Sequence, residues 1–401
     1  MPEAVIVSTA RTPIGRARKG SMTECRPDDL GATAVRAALD KVPQLPPADI
    51  DDLVLGCAQP CGEQGNNLAR VVAVLLGLRT VPGVTVNRFC SSSLQAIRMA
   101  AHAVRAGEGD VFVCAGVETV SRYNFGPGDG PASHNPRFAE AEERTRGRSG
   151  GAGSWEPPAG LPDIYIAMGQ TAENVRLHEH LTRAEMDEFA VLSQSRAVAA
   201  QGNGIFEREI VPVTTPSGQV VTRDDCPRPG TTADGLAALK PAFRPDGEVT
   251  AGNSCPLNDG AAAVIVMSQD RARQLGITPL ARIVATGVSG LDPEIMGLGP
   301  VEACRQALRR AGMTIGDVDL VEINEAFAAQ VIPSARQLGI GWDKLNVNGG
   351  AIALGHPFGM TGARIMTTLL NALDERDQVI GLESMCVGGG QGMAMIVERL
   401  S

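Results

Sequence analysis

The chain is short of aromatic residues, which make up 3% of its 401 positions, and it holds only five histidines. No apolar run approaches the roughly 20 residues that a membrane-spanning helix requires, so no span is expected. Basic residues are not in excess: Lys and Arg total 36 against 45 Asp and Glu, for a net charge of −9. A nucleic-acid-binding surface needs a basic footprint and is excluded on that ground. The nine cysteines are odd in number and scattered. Cys57 and Cys61 form the only close pair, and no second pair completes a zinc site, so neither a disulfide scaffold nor a metal centre is expected. A reducing, cytoplasmic setting is the default for such a chain. The opening residues MPEAVIVSTARTPIG lack the charged start and apolar stretch of a secretory leader, and none is expected.

What is present is ordinary in bulk and specific in arrangement. Hydrophobic residues reach 43% and charged residues 20%, as in globular proteins, and the length permits two or three domain-sized units. The 47 glycines suit helix–sheet layers with close backbone approaches. The organisation reads as a duplication. Residues 37–56 and 307–323 each run helix, turn, an Asp-rich step (Asp-Ile-Asp-Asp or Asp-Val-Asp), then an apolar strand. Val86-Asn87 ends a strand before a loop, a helix near 93–106 and a strand at 111–115. Val347-Asn348 likewise ends a strand before a Gly-rich loop, a helix near 361–374 and a strand at 378–382. The expected class is α/β, two β–α arrays back to back, each a mostly parallel sheet covered by helices. The expected division is 1–120 and 251–401 for the two halves, with 121–250 inserted over one face. Within the insertion, Phe125 to Pro162 is Gly- and Pro-rich and reads as an exposed excursion. Residues 163–201 read as helical, with a Thr182/Glu185 capping box, and 204–250 as irregular.

Chemistry concentrates where strands give way to helices. VTVNRFCSSSLQAIRMAAHAV (84–104) passes from a β-branched strand to a helix, with Cys90 at the junction and Ser91, Ser92 and Ser93 as candidate caps. Unpaired N–H groups and the positive end of the helix dipole there favour a thiolate. Three distant segments share that placement: Glu322 to Phe327, the loop GGAIALGHPFGMTGAR (349–364) carrying His356, and CVGGGQG (386–392) opening on Cys386. Singly, Asn324 could cap a helix, His356 could be structural and Cys386 could be core. Together they supply a nucleophile, a base with an unperturbed pKa of about 6.5, a second thiol for proton transfer and glycine turns that aim N–H groups at an oxyanion. That inventory fits acyl transfer through a thioester.

On these residues the sequence resembles the thiolase family over essentially its whole length. ARTPIG (10–15), VNRFCSSSLQA, AMGQTAEN (167–174), VTAGNSCPLNDGAA (249–262), NEAFAAQ (324–330) and the His356 and Cys386 segments fall in the family's order and spacing. The resemblance implies a duplicated, layered αβαβα fold with two mixed, mostly parallel sheets and an inserted loop domain. It implies Cys90 as the acylated nucleophile, His356 as its activator and Cys386 as the acid/base at the acetyl carbon. Asn324 would hold a water that with His356 forms one oxyanion hole, and the N–H groups of Cys90 and Gly388 would form the other. Met168, Leu236, Ala251 and Phe327 match pantetheine or acyl-pocket positions, and Arg228 matches a contact to the CoA nucleotide. Cys255 stands where a serine usually meets the pantetheine. CoA and acyl-CoA are implied as substrates, with no metal or redox cofactor, and a homodimer or homotetramer as the assembly. The residues flanking Cys90, and Ala167 before Met168, resemble degradative 3-oxoacyl-CoA thiolases. The alternatives are a biosynthetic acetyl-CoA acetyltransferase and a non-catalytic thiolase-like partner. Ketoacyl synthases share the fold, but the second cysteine in its glycine turn argues against them.

Overall fold

The computed structural model describes residues 2–123, 133–148 and 153–401. The excursion expected from Phe125 to Pro162 lies partly outside the described residues. The part within them includes a short helix where only loop was expected.

The first half contains β1 (Ala4–Arg11), β2 (Gly15–Arg16), α1 (Pro27–Asp40), β3 (Asp52–Gly56), α2 (Leu68–Leu75), β4 (Gly83–Val86), α3 (Ser92–Ala106) and β5 (Val111–Thr119). Next come α4 (Ala139–Arg146), α5 (Met168–His178), α6 (Arg183–Gly202), the small hairpin β6 (Val213–Thr214) and β7 (Val220–Val221), and α7 (Ala233–Ala237). The capping box at α6 is present, Thr182 and Glu185 each bonding the other's backbone. The chain then forms β8 (Asn258–Ser268), α8 (Gln269–Leu275), β9 (Ala281–Gly290), α9 (Gly299–Ala311), β10 (Leu320–Ile323) and α10 (Ala328–Leu338). It ends with α11 (Ala351–Leu354), α12 (Thr361–Glu375), β11 (Ile380–Val387) and β12 (Gln391–Arg399).

The strands run in the order β10-β11-β12-β9-β1-β8-β5-β3-β4. The duplication is written in that order: β4-β3-β5-β8-β1 from one edge answers β10-β11-β12-β9 from the other. The counterpart of β4, expected to end at Val347-Asn348, is reduced to a single parallel bridge between Val321 and Leu345. Two details of the expected sheets are corrected. The two halves join into one continuous sheet through the pairs Val5–Arg282 and Ile6–Ala281. Among the described residues, parallel ladders are confined to β3 with β4 and β5, and to β10 with β11. The remaining main ladders are antiparallel. The reason is connection length: helical crossovers join the parallel strands, whereas the tight 388–390 turn that joins β11 to β12 permits only antiparallel return. Strand β8 falls within the range expected to open the C-terminal half, yet it pairs with β1 and β5. After the insertion the chain returns to complete the first half's sheet with the apolar run Ala261–Met267.

Alternation along the strands sorts the core into layers. Leu53, Leu55, Val113 and Ile265 face α1 and α2 in one apolar cluster. Val54, Cys114, Val264 and, from the other half, Met385, Met393 and Met395 enclose α3 and α12. Val321, Leu382 and Ile396 face α9 and α10 on the far side. The result is helix–sheet–helix–sheet–helix, with α3 and α12 as the middle layer. Their crossing is tight because Gly362 meets the backbone of Leu94, where a Cβ would approach Leu94 N to 2.4 Å. Truncating Ile97 or Leu369 between the sheets is expected to cost about 2–5 kcal/mol each.

Charge is buried where the insertion meets this core. Arg11 of the ARTPIG segment is fully buried, donating to Glu209 at 3.0 Å and to both Asp224 oxygens at 2.8 and 3.0 Å. A bidentate guanidinium–carboxylate pair in a dry site breaks only at high cost. Arg11 therefore clamps the irregular 204–250 segment onto β1. Among the described residues, no helix is long and apolar enough to cross a membrane.

Candidate active site

Strand β4 ends at Val86, and the chain tightens through a single helical turn at Phe89–Ser91 before α3 begins. Phe89 sits at φ +42°, a left-handed conformation that strains a bulky residue. The serines do not cap α3 as expected. Ser92 closes the turn, its hydroxyl accepting from Arg88 N–H at 2.9 Å and donating to Phe89 O at 2.6 Å. Ser93 accepts from Ala363 N–H at 2.9 Å, which ties the start of α3 to α12. Cys90 is thus held on a rigid elbow.

The protonation of Cys90 also departs from expectation. Burial pushes its thiol up to about 11, outweighing the lowering effect of the nearby Gly388 and Cys90 N–H groups. Desolvation of the anion outweighs the helix end.

His356 is prepared by its neighbours. Its Nδ1 lies 2.6 Å from Thr361 Oγ1, and that hydroxyl spends its own proton on Pro357 O at 2.8 Å. Nδ1 must then donate, which leaves Nε2 with a bare lone pair. Nε2 is buried and has no protein partner. Burial, and then the charge of Arg364, lowers the imidazole's pKa to about 3. The resting pair is a neutral thiol and a neutral imidazole. Phe358 packs edge-on against the imidazole at 5.1 Å and lines the cavity that holds Cys90.

The loop carrying His356 is pinned at three points that sequence reasoning missed. Its N–H donates to Asn258 Oδ1 at 3.0 Å. Gly359 N–H donates to Glu118 Oε2 at 2.9 Å, and the same carboxylate accepts from Ala58, Gln59 and Gln64. Ile352 N–H donates to Glu325 Oε2 at 3.1 Å, a carboxylate also held by Ser193 and Asn346. The available signal was an acidic or amide residue at the end of an apolar strand, as in VFVCAGVET and LVEINE. Gly355, at φ +111°, passes so close to Asn258 that a Cβ would lie 2.6 Å from its amide.

Asn324 leaves β10 with its N–H on Ser384 O at 2.9 Å, alongside the strand that delivers Cys386. Its side-chain amide is buried, with neither atom bonded to protein. Cys386 is fully buried, and its thiol is pushed well up by burial and by the nearby Cys90 and Cys255. Cys255 stands among these thiols, raised by burial and by Cys90, and its N–H donates to Ala326 O at 3.0 Å. Gly388 and Met168 line the cavity with Cys90. Phe327 and Leu236 share one apolar cluster, with Met168 packed against it. Ala251 is exposed beside Gly252, whose missing side chain leaves room for Leu236 and Leu239. Arg228 is not drawn to the cavity: it is exposed, and its N–H is bonded to Gln194. Among the described residues, no cluster of three or more His, Cys, Asp or Glu could hold a metal.

A buried thiol, an imidazole with a free Nε2 lone pair and a second buried thiol are the kinds of group that acyl transfer through cysteine requires. Comparison with known proteins gives the family. Residues 4–270 match the thiolase N-terminal domain and residues 277–399 the thiolase C-terminal domain. A 3-ketoacyl-CoA thiolase of Bacillus subtilis is 44% identical over 99% of this chain and all of its own length. A beta-ketoadipyl-CoA thiolase of Acinetobacter baylyi is 43% identical with both chains fully covered. The crystal structure of the Bacillus anthracis acetyl-CoA acetyltransferase superposes with a TM-score of 0.87 at 38% identity, covering 100% of this chain and 99% of that one. The chain belongs to the thiolase family, and it is an acyltransferase with thiolase activity.

Proposed function

We propose that the protein cleaves a 3-oxoacyl-CoA with CoA, giving acetyl-CoA and a shortened acyl-CoA. The observation that carries the reading is one cavity lined by Cys90, Gly388 and Phe358, the last packed against the His356 imidazole. The thiol proton passes to His356 Nε2 as sulfur attacks the 3-oxo carbon. Because the resting pair is neutral, this transfer proceeds as charge builds on the carbonyl oxygen and is met by preorganised donors. The C2–C3 bond breaks, and its electron pair becomes the enolate of acetyl-CoA. Asn324, through a water, and His356 hold that enolate oxygen, while Cys386 protonates the carbon. Incoming CoA gives its proton to the Cys386 thiolate and attacks the acyl-cysteine. The leaving Cys90 sulfur recovers its proton from His356. No metal or redox cofactor takes part in this proposed cycle.

Met168, Leu236, Ala251, Cys255 and Phe327 are proposed to line the pantetheine and acyl path, and exposed Arg228 to meet the CoA nucleotide. By segment, 1–120 supplies the nucleophile, 121–250 the cover and 251–401 the acid/base groups. The degradative direction is supported by the 44% identity to 3-ketoacyl-CoA thiolases. The same parts run the reverse condensation, a reading supported by the likeness to the acetyl-CoA acetyltransferase. We infer a homodimer or homotetramer, because β4 ends the sheet with its outer backbone groups available for pairing. A light-scattering mass of one chain refutes it. A cytoplasmic setting is supported by nine cysteines that are all free.

The test is intact-mass spectrometry after incubation with 3-oxoacyl-CoAs and no free CoA, followed by peptide mapping. An acyl adduct on Cys90 is expected. Absence of any adduct on folded protein rejects the proposal.

A further inference from the structure

The cavity at Cys90 holds about 280 Å³ and extends from the sulfur past Phe89, Phe358 and Met168 to Gln59, Ile164 and the rings of His134 and Tyr165. Among the described residues, no Lys, Arg, Asp or Glu lines it.

The outer wall is built rather than incidental. Tyr165 stacks on His134 with ring centroids 3.8 Å apart and planes within 5°. Phe138 meets the far side of Tyr165 edge-on at 5.5 Å, and the Tyr165 hydroxyl accepts from Asn135 N–H at 3.1 Å. The polar group nearest this wall is already committed, since His134 Nδ1 lies 3.1 Å from Glu142 Oε2. Among the described residues, a terminal carboxylate on the acyl chain would meet no Lys or Arg there, only the imidazole of His134, which Glu142 already engages. Arg144, on the helix of Glu142, is spent on Leu161 O at 2.8 Å and Glu294 at 3.4 Å.

Resting on the thiolysis reading above, we propose that the acyl group accepted at Cys90 is an uncharged, apolar chain, and that chains ending in a carboxylate are rejected. Burying a carboxylate without a partner is strongly unfavourable, whereas each methylene buried in such a wall is favourable. Both 3-ketoacyl-CoA and beta-ketoadipyl-CoA thiolases stand at about the same identity to this chain, 44% and 43%, so overall likeness does not decide between them. The wall chemistry does.

The experiment uses the full chain and four substrates with free CoA: acetoacetyl-, 3-oxohexanoyl-, 3-oxooctanoyl- and 3-oxoadipyl-CoA. The second and fourth have the same chain length and differ at the terminal group. The expected kcat/KM favours 3-oxohexanoyl over 3-oxoadipyl by about 100-fold or more, and each added methylene beyond acetoacetyl raises it roughly threefold. Equal or better turnover of 3-oxoadipyl-CoA overturns the proposal while leaving thiolysis intact. So does a steady decline in kcat/KM from acetoacetyl-CoA upward. No turnover of any of the four, with Cys90 unacylated, rejects the thiolysis reading and the proposal with it. Two variants sharpen the result. Gln59→Arg puts a cation into the cavity and is expected to shift the 3-oxoadipyl to 3-oxohexanoyl ratio at least about tenfold toward the dicarboxylate. Glu142→Gln removes the negative charge behind the wall and is expected to shift it the same way by a fewfold. An unchanged ratio in both folded variants overturns the proposal.

Discussion

The two halves of the sheet put the ends of the equivalent strands β5 and β11 to different use. In the first half, β5 ends in Glu118, whose carboxylate accepts four N–H donors and holds loops from both halves. In the second, Cys386 stands one residue before the end of β11, and Gly388 follows the strand into the cavity lined by Cys90. The helices of the middle layer differ in the same way. The step into α3 is a one-turn elbow that fixes Cys90. The step into α12 is a long glycine-rich loop that must be pinned by Asn258, Glu118 and Glu325 before His356 has a position. A duplicated scaffold thus places Cys90 and its brace on one side, and His356 and Cys386 on the other. Rigidity is local on the first side and borrowed on the second.

Four substitutions and one titration test this contrast, and the largest effect is at the elbow. Cys90→Ala is expected to lower kcat by on the order of 10⁵-fold, as loss of a nucleophile does, with the fold intact by circular dichroism. Cys386→Ala is expected to stop C–C cleavage by roughly 10³-fold or more. It should still let Cys90 take an acyl group from a ready acyl-CoA, as read by intact mass, and equal loss of both steps breaks the division of labour. Glu118→Ala strands buried N–H donors from two loops and is expected to lower stability by about 3 kcal/mol, measured by urea unfolding. It should also lower kcat, because Gly359 loses its anchor. Thr361→Val removes the acceptor that fixes the His356 tautomer and is expected to cost about tenfold in kcat. Stability should change far less than in Glu118→Ala. The smallest effect is spectroscopic. With its pKa lowered to about 3 by burial and by Arg364, His356 should remain neutral from pH 5 to 8 in a ¹⁵N-histidine NMR titration. The sign for stability follows: a histidine kept neutral in the fold is protonated first in the unfolded chain. Its contribution is therefore fully present above pH 6.5 and lost as pH falls toward 3.

Local pattern made much of this legible. The β-branched end of β4, the helix formers of α3 and the Thr182/Glu185 box are short-range features, and all three stand where they were read. The ordered run of long segments around Cys90, His356 and Cys386 placed the chain in its family before any coordinates. Less legible were features that depend on what a residue meets across the fold. Ser91 to Ser93 read as caps, yet Ser93 bonds Ala363 and Ser92 closes the turn. Arg11 read only as part of a motif, and its two carboxylate partners lie about 200 residues away in sequence. The mostly parallel sheets were inferred from β–α repeats, which do not report the antiparallel ladders of β1, β8, β9 and β12.

Residue type and order by themselves determined the class of fold, the family and the inventory of reactive groups, because periodicity, turn chemistry and reactive side chains are properties of short segments. Tertiary structure alone decided how those groups rest. Burial turns a cysteine at a helix end into a neutral thiol, since desolvating an anion costs more than one helix terminus returns. A hydroxyl that spends its only proton on Pro357 O makes the imidazole donate through Nδ1 and frees Nε2. The cavity at Cys90 is likewise assembled from residues scattered between Ala58 and Gly389, which only the fold brings together.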